Sequence, residues 1–177
     1  MAKKVQRYRN EYRHPDHIPD HEVPDVYDLR NIEGYDFTGN LRDQGPCGSC
    51  YTNSFIQAIE GRMKVKYAHK HLDMPDLSIQ FIMTCNYMTE GCNGGWAIFD
   101  GFFAEQGGIP TEKCAPYSAK TKNISCADFS QCKPHTRITN SYYVNGYNFD
   151  PTELQIRKEI LYNGPVTTEF RASDDDF

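Results

Sequence analysis

Seven cysteines, at positions 47, 50, 85, 92, 114, 126 and 132, constrain this chain more than any other feature. An odd count divides into three crosslinks and one thiol left over, which is the arithmetic of a secreted or vacuolar protein. Cys114, Cys126 and Cys132 lie in a loop-rich stretch with few apolar residues, where crosslinks rather than a core would hold the chain. The sequence by itself leaves the connectivity open.

The first two cysteines fall in Gln44-Gly45-Pro46-Cys47-Gly48-Ser49-Cys50-Tyr51. A Gly-rich turn runs straight into an amphipathic segment over 51–67, which predicts Cys50 near the first turn of a helix. Unpaired backbone N–H groups and the helix dipole favour a thiolate there, and the thiolate is the attacking species in nucleophilic catalysis. The C-x-x-C spacing of Cys47 and Cys50 equally suits a zinc half-site or a redox dithiol. Zinc calls for a second close pair, whereas Cys85 and Cys92 have six residues between them. A thioredoxin-like site needs a strand and a βαβ context, and the front end is polar and rich in Pro and Gly. On these residues alone the nucleophile and the dithiol both stand.

Bulk properties close off other functions. At 177 residues the chain can bury one good core or two small lobes sharing a cleft. It has no apolar run near 18 residues, so no membrane span is expected. A formal charge of −5 without a basic stripe argues against a nucleic-acid partner. Asn123-Ile124-Ser125 is a glycosylation sequon, which agrees with the compartment the cysteines suggest. No apolar stretch follows Met1, so no signal peptide is read. That leaves a piece of a lysosomal, vacuolar or secreted precursor, or an intracellular chain. Residues 1–23 read as an extended polar arm, with His14, His17 and His21 solvated rather than metal-bound because nothing preorganises them.

Local signals then order the elements. Tyr51, Phe55, Ile59, Met63 and Tyr67 form the core stripe of the central helix. His69 and His71 follow at its tail as helix-dipole partners. Ser78 is expected to cap a short helix. A third helix runs from Ala97 to Gln106, with Phe99, Phe102 and Phe103 inward and Gly107-Gly108 ending it. Strands are expected at 141–144 and from Val166 to Phe170. Between them lies a helix with Asp150 as N-cap, Pro151 at its first position and Glu153 closing a capping box.

The octet resembles the nucleophile region of papain-family cysteine peptidases, whose local signature is C-G-S-C followed by Trp or Tyr. Tyr51 makes it most similar to the cathepsin C branch, with the cathepsin X branch second. Asp28 and Arg30 also resemble the start of that domain, with Tyr27 and Leu29 in place of its two tryptophans. The resemblance covers residues 24–177. It implies an α+β, papain-like, two-lobed fold: a helical lobe plus an incomplete β-barrel-like lobe. It implies that Cys50 is the nucleophile and that the Gln44 amide donates to the oxyanion. Glu90-Gly91-Cys92-Asn93-Gly94-Gly95-Trp96, on its glycines alone an ordinary tight turn, resembles the cleft wall that pairs with an extended peptide. Trp96 and Ala97 match the second specificity pocket. Glu169 falls where that pocket usually has a small or apolar residue, so it either turns the preference toward basic side chains or spoils the pocket. The implied disulfides are Cys47–Cys92, Cys85–Cys126 and Cys114–Cys132, leaving Cys50 free.

The same resemblance marks what is not found. The family's catalytic histidine and asparagine lie roughly 130–150 residues after the cysteine. His135 comes too early, beside Pro134 in the crosslinked loop, and is not assigned as the base. Ile98 falls where a chloride-binding tyrosine stands in the cathepsin C branch, so neither chloride nor any other cofactor is expected; Tyr143 matches the branch's other tyrosine. No domain that would close the cleft beyond two residues is seen, so aminodipeptidase specificity is not implied. The expected partners are a peptide or protein substrate and another polypeptide that completes the β lobe and supplies the base. The alternative is a catalytically inactive papain-like domain serving as a structural or binding subunit.

Overall fold

The computed structural model describes residues 14–67, 73–146 and 150–170. Four α-helices carry the fold among them: α1 Cys50–Tyr67, α2 Ile79–Cys85, α3 Ala97–Gly107 and α4 Glu153–Asn163. Helix α1 is the hub, packed against the other three. Its predicted stripe starts in the core and turns out of it. Tyr51 and Phe55 are buried, Ile59 and Met63 half-buried, and Tyr67 is 45% exposed. A four-residue step advances about 40° around a 3.6-residue helix, so such a row cannot stay on one buried face. Ile56 takes over, joining Leu77, Ile79, Ile82, Ala104 and Ile109 in the main core. Each of these aliphatic side chains contributes about 1.5–3 kcal/mol by burial, the alanine less.

Ser78 caps α2 as expected: its Oγ accepts the Phe81 N–H at 2.9 Å and donates to the Ala115 carbonyl at 2.6 Å. The inward face of α3 is aromatic only in part: Phe103 packs on the main core and against the Phe81 ring as expected. Asp100, Gly101 and Ala104 are buried, while Phe102 is 39% exposed. The close neighbours of α3 are the reason. A Cβ on Gly101 would lie 2.8 Å from that of Ser141, so only small side chains fit there. The cap of α4 also differs. Thr152, not Asp150, is the N-cap, and its capping box closes with Gln155 rather than Glu153. Thr152 Oγ1 accepts from Gln155 N–H while Gln155 Oε1 accepts from Thr152 N–H, which leaves Pro151 outside the helix.

Residues 14–23 are not an extended arm. They form 3-10 turns at Pro15–His17 and Asp20–Glu22 and dock on α4. Ile18 is 2% exposed, clustered with Leu161 and Tyr162, and Lys158 Nζ reaches Asp20 at 2.6 Å. One buried aliphatic residue and complementary charges anchor a segment whose composition reads as solvated. His14 Nδ1 accepts from the Asp16 N–H, and no group of three or more metal-binding side chains occurs among the described residues. His69, His71 and residues 1–13 lie outside the described residues.

β-type pairing among the described residues is confined to isolated bridges: Ile32 with Tyr35, Leu77 with Thr111 and Ile109 with Thr136. Neither segment expected as a strand, 141–144 or 166–170, forms part of a strand among the described residues, and a lone strand gains nothing from its backbone groups. The result is the helical lobe of an α+β fold with its β lobe incomplete. Disulfides join Cys47 to Cys92, Cys85 to Cys126 and Cys114 to Cys132, the pairs implied by the resemblance. In the chain-entropy picture, the loops of 45 and 41 residues each contribute about 4 kcal/mol and the 18-residue loop about 3. No described helix is long and apolar enough to cross a membrane.

Candidate active site

Cys50 is the free thiol among the described residues; it is exposed and opens α1. At this first helical position its N–H has no intrahelical acceptor and points out of the helix end. The approach loop is fixed from several directions. Gln44 Nε2 donates to the Cys47 carbonyl at 2.9 Å, which uses one of the two amide hydrogens and leaves one. Cys47 is buried and crosslinked to Cys92. Gly48 N–H donates to the Cys92 carbonyl at 2.9 Å, and a Cβ on Gly48 would sit 2.6 Å from that oxygen. The close approach of two backbones requires the glycine.

The glycine-rich stretch lies against this loop. Gly94 has φ 118°, and a Cβ there would meet nothing within 4 Å, while its N–H pairs with the Gly91 carbonyl and its own carbonyl accepts from Glu90 N–H. Gly95 faces the other way: its Cβ would lie 2.7 Å from the Tyr51 ring. Tyr51 Oη donates to the Gly91 carbonyl at 2.9 Å. The phenol therefore ties the helix that carries Cys50 to the glycine wall, and burial raises its pKa.

Beneath Cys50 the polar groups are buried. Ser49 is fully buried, its Oγ 2.6 Å from Tyr117 Oη and 3.0 Å from Asn53 Nδ2. Tyr117 Oη donates to the Gln44 carbonyl at 2.7 Å. Further in, Asp100 is fully buried and accepts from Asn86 Nδ2 at 2.9 Å. Burial pushes the Asp100 carboxyl up to about 7, against the pull of Asn86 and Thr52.

A second concavity of about 1040 Å³ runs along α1. Trp96, Ala97, Ile98, Tyr143 and Glu169 line it, and Cys50, Gln44, Gly94 and Gly95 do not. The predicted residues thus fall into two groups, the Cys50 loop with the glycine-rich stretch against it and a trough that begins where that stretch ends at Trp96. Arg62 also lines the trough. Its Nη2 pairs with the fully buried Glu159 at 2.8 Å, its Nη1 donates to Tyr142 Oη at 3.0 Å and its Nε to the Pro165 carbonyl at 2.8 Å. Burial, with Glu159 alongside, raises the Tyr142 pKa.

None of the described histidines, His14, His17, His21 or His135, is hydrogen-bonded to the Cys50 sulfur. His135 is exposed and its N–H pairs with the Ile109 carbonyl at 2.8 Å. Sequence reasoning missed Tyr117, Ser49, Asn53 and Asp100. The cue for Tyr117 was its place as one of two aromatic residues, with Phe129, in a largely polar crosslinked loop.

Comparison with known proteins matches residues 23–177 to the family described as papain family cysteine protease. The chain is 30% identical over 136 residues to cathepsin C of Schistosoma mansoni, covering 76% of this chain and 29% of that protein. It is 29% identical to human cathepsin O over 149 residues, covering 84% and 43%. Among solved structures, a recombinant stem bromelain precursor superimposes with a TM-score of 0.56 at 26% identity, covering 68% of this chain and 36% of that one. The chain thus spans well under two thirds of the length of these relatives.

Proposed function

The chain belongs to the papain family of cysteine proteases, and from that premise we propose that it carries the nucleophilic half of a site that hydrolyses peptide bonds. The observation that carries this reading is the exposed free Cys50 at the start of α1, with Gln44 held in the loop before it. In this reading the Cys50 sulfur adds to the scissile carbonyl carbon. The carbonyl π pair moves to oxygen, where the Cys50 N–H and the unused Gln44 amide hydrogen receive it. Collapse expels the amine, which takes a proton from the base, and water then cleaves the thioester. Gly95 offers backbone to an extended peptide by strand addition, beside Gly94, whose N–H and C=O are taken by Gly91 and Glu90. Trp96, Ala97 and Glu169 line the neighbouring pocket, with Glu169 favouring a basic side chain.

The base and its orienting asparagine we assign to polypeptide that completes the β lobe. No metal, chloride or other cofactor enters the scheme. Three disulfides fit an oxidising compartment, lysosomal, vacuolar or secreted. The competing reading, an inactive papain-like binding subunit, draws on the lack of a described histidine at the Cys50 sulfur. A peptidyl epoxide separates the two. Labelling of Cys50 in the folded protein, traced by peptide mapping, is expected. Folded protein that stays unlabelled at Cys50 ends the peptidase reading.

A further inference from the structure

We propose that Tyr117 is a positioning residue that sets Gln44 relative to Cys50 through its hydroxyl; the inference rests on the peptidase reading above. A phenol has one hydrogen. Tyr117 Oη donates it to the Gln44 carbonyl at 2.7 Å, because a carbonyl can only accept. The 2.6 Å contact with Ser49 Oγ must then be donated by Ser49. Ser49 Oγ in turn accepts from Asn53 Nδ2 at 3.0 Å. The relay has one direction, Asn53 to Ser49 to Tyr117 to Gln44, and every member is buried or half-buried.

What the relay joins gives it meaning. Ser49 precedes the nucleophile, and Gln44 supplies the second oxyanion donor. The loop between them holds Gly45 at φ 60° and Gly48, and glycines alone do not fix a side-chain amide in space. Tyr117 is fixed. Its N–H donates to Glu112 Oε1 at 2.5 Å, and its ring packs on the main core. Two residues on, Ala119 abuts Gly45, whose added Cβ would sit 3.4 Å from it. The loop is crosslinked at Cys114–Cys132. A segment 68 residues downstream of Ser49 thus acts as an abutment for both ends of the nucleophile loop. Positioning of this kind affects an oxyanion far more than it affects simple sulfur alkylation.

A peptide aldehyde reads the difference. Sulfur bonds to the aldehyde carbon, the C=O π bond breaks and the thiol hydrogen ends on the former carbonyl oxygen, so the hemithioacetal forms without oxidation or reduction. Its affinity depends on the two donors, while alkylation by iodoacetamide does not. Both probes are applied to the full protein in its assembled form. Tyr117→Phe keeps the ring and removes the hydroxyl. It is expected to weaken aldehyde binding about tenfold while the iodoacetamide rate at Cys50 stays within about twofold. Ser49→Ala should act in the same direction, and the double variant should lose no more than the worse single; Ser49→Ala also serves if Tyr117→Phe fails to fold. Unchanged aldehyde affinity in the variants, or an equal fall with both probes, overturns the positioning role. A wild-type protein that iodoacetamide alkylates at Cys50 but that binds no aldehyde sinks the peptidase reading, and the proposal with it.

Discussion

Asp100 offers a test of the fold that needs no substrate. Its carboxyl is fully buried between α3 and α1, with Oδ1 bonded to Asn86 and Oδ2 without a partner. Thr52, near enough to act on it, stays outside hydrogen-bond geometry and its hydroxyl is likewise unpaired. Burial holds the folded pKa at about 7 against 3.8 for the free side chain. Between these values the unfolded chain releases a proton that the folded chain keeps, so stability falls as pH rises from about 4 to about 7 and levels off above. Roughly 3 units at 1.36 kcal/mol each give about 4 kcal/mol, a large share of the 5–15 kcal/mol typical of a domain. Asp100→Asn keeps the acceptor for Asn86 and cannot ionise. Relative to wild type it should be stabilising by about 1 kcal/mol at pH 4.5 and by about 4 kcal/mol at pH 7.5. Glu60 and Glu112, also raised by burial, titrate in both proteins and cancel in the difference. Denaturant unfolding at the two pH values with the disulfides intact measures it. A difference that does not change with pH, or that grows more unfavourable at pH 7.5, refutes the reasoning.

Two substitutions test the site's packing. Gly48→Ala puts a methyl 2.6 Å from the Cys92 carbonyl, which the crosslink to Cys47 keeps from yielding; a loss of about 1–3 kcal/mol in thermal unfolding is expected, with slower epoxide labelling, and an unchanged melting point contradicts it. Arg62→Ala strands the buried Glu159 carboxylate and should cost about 3–5 kcal/mol. Replacing Arg62 and Glu159 together with Met and Leu should cost less than the single change, and a double variant that is the worse of the two would be evidence against an unpaired charge as the cause.

The features legible in the sequence were those with local causes. Ser78 stands before an apolar run, Gly108 ends α3 at φ 73°, and the Gly-rich octet feeds directly into α1. The disulfide pairs were legible by resemblance, since spacing alone leaves connectivity open. Errors arose where a distant neighbour decides. Of the three phenylalanines on α3 expected to face inward, Phe103 packs on the core but Phe102 is turned out, and the nearness of Ser141 leaves no room for a side chain at Gly101. Asp150 and Thr152 are both fair caps, and only Thr152 finds a reciprocal partner in Gln155. Residues 14–23 looked solvated because one buried Ile18 among charges leaves no periodic trace. The Ser49–Tyr117 contact spans 68 residues and the Arg62–Glu159 contact 97, so neither has a local signature.

The division of the site into two parts follows from how each is held. Cys50, Gln44 and the glycine wall are secured within the helical lobe by the Cys47–Cys92 crosslink, the Tyr51 bond to Gly91 and the Tyr117 relay. None of these draws on a β strand. The trough that holds Trp96, Ala97 and Glu169 is bounded in part by segments 136–144 and 165–169, where the β pairing among the described residues is a single bridge, Thr136 with Ile109. The placement of Cys50 and the shape of the trough therefore depend on different interactions. Disturbing the β lobe should alter peptide preference while leaving the sulfur's reaction with a small alkylating agent nearly unchanged. Reducing Cys47–Cys92 should act on the sulfur first.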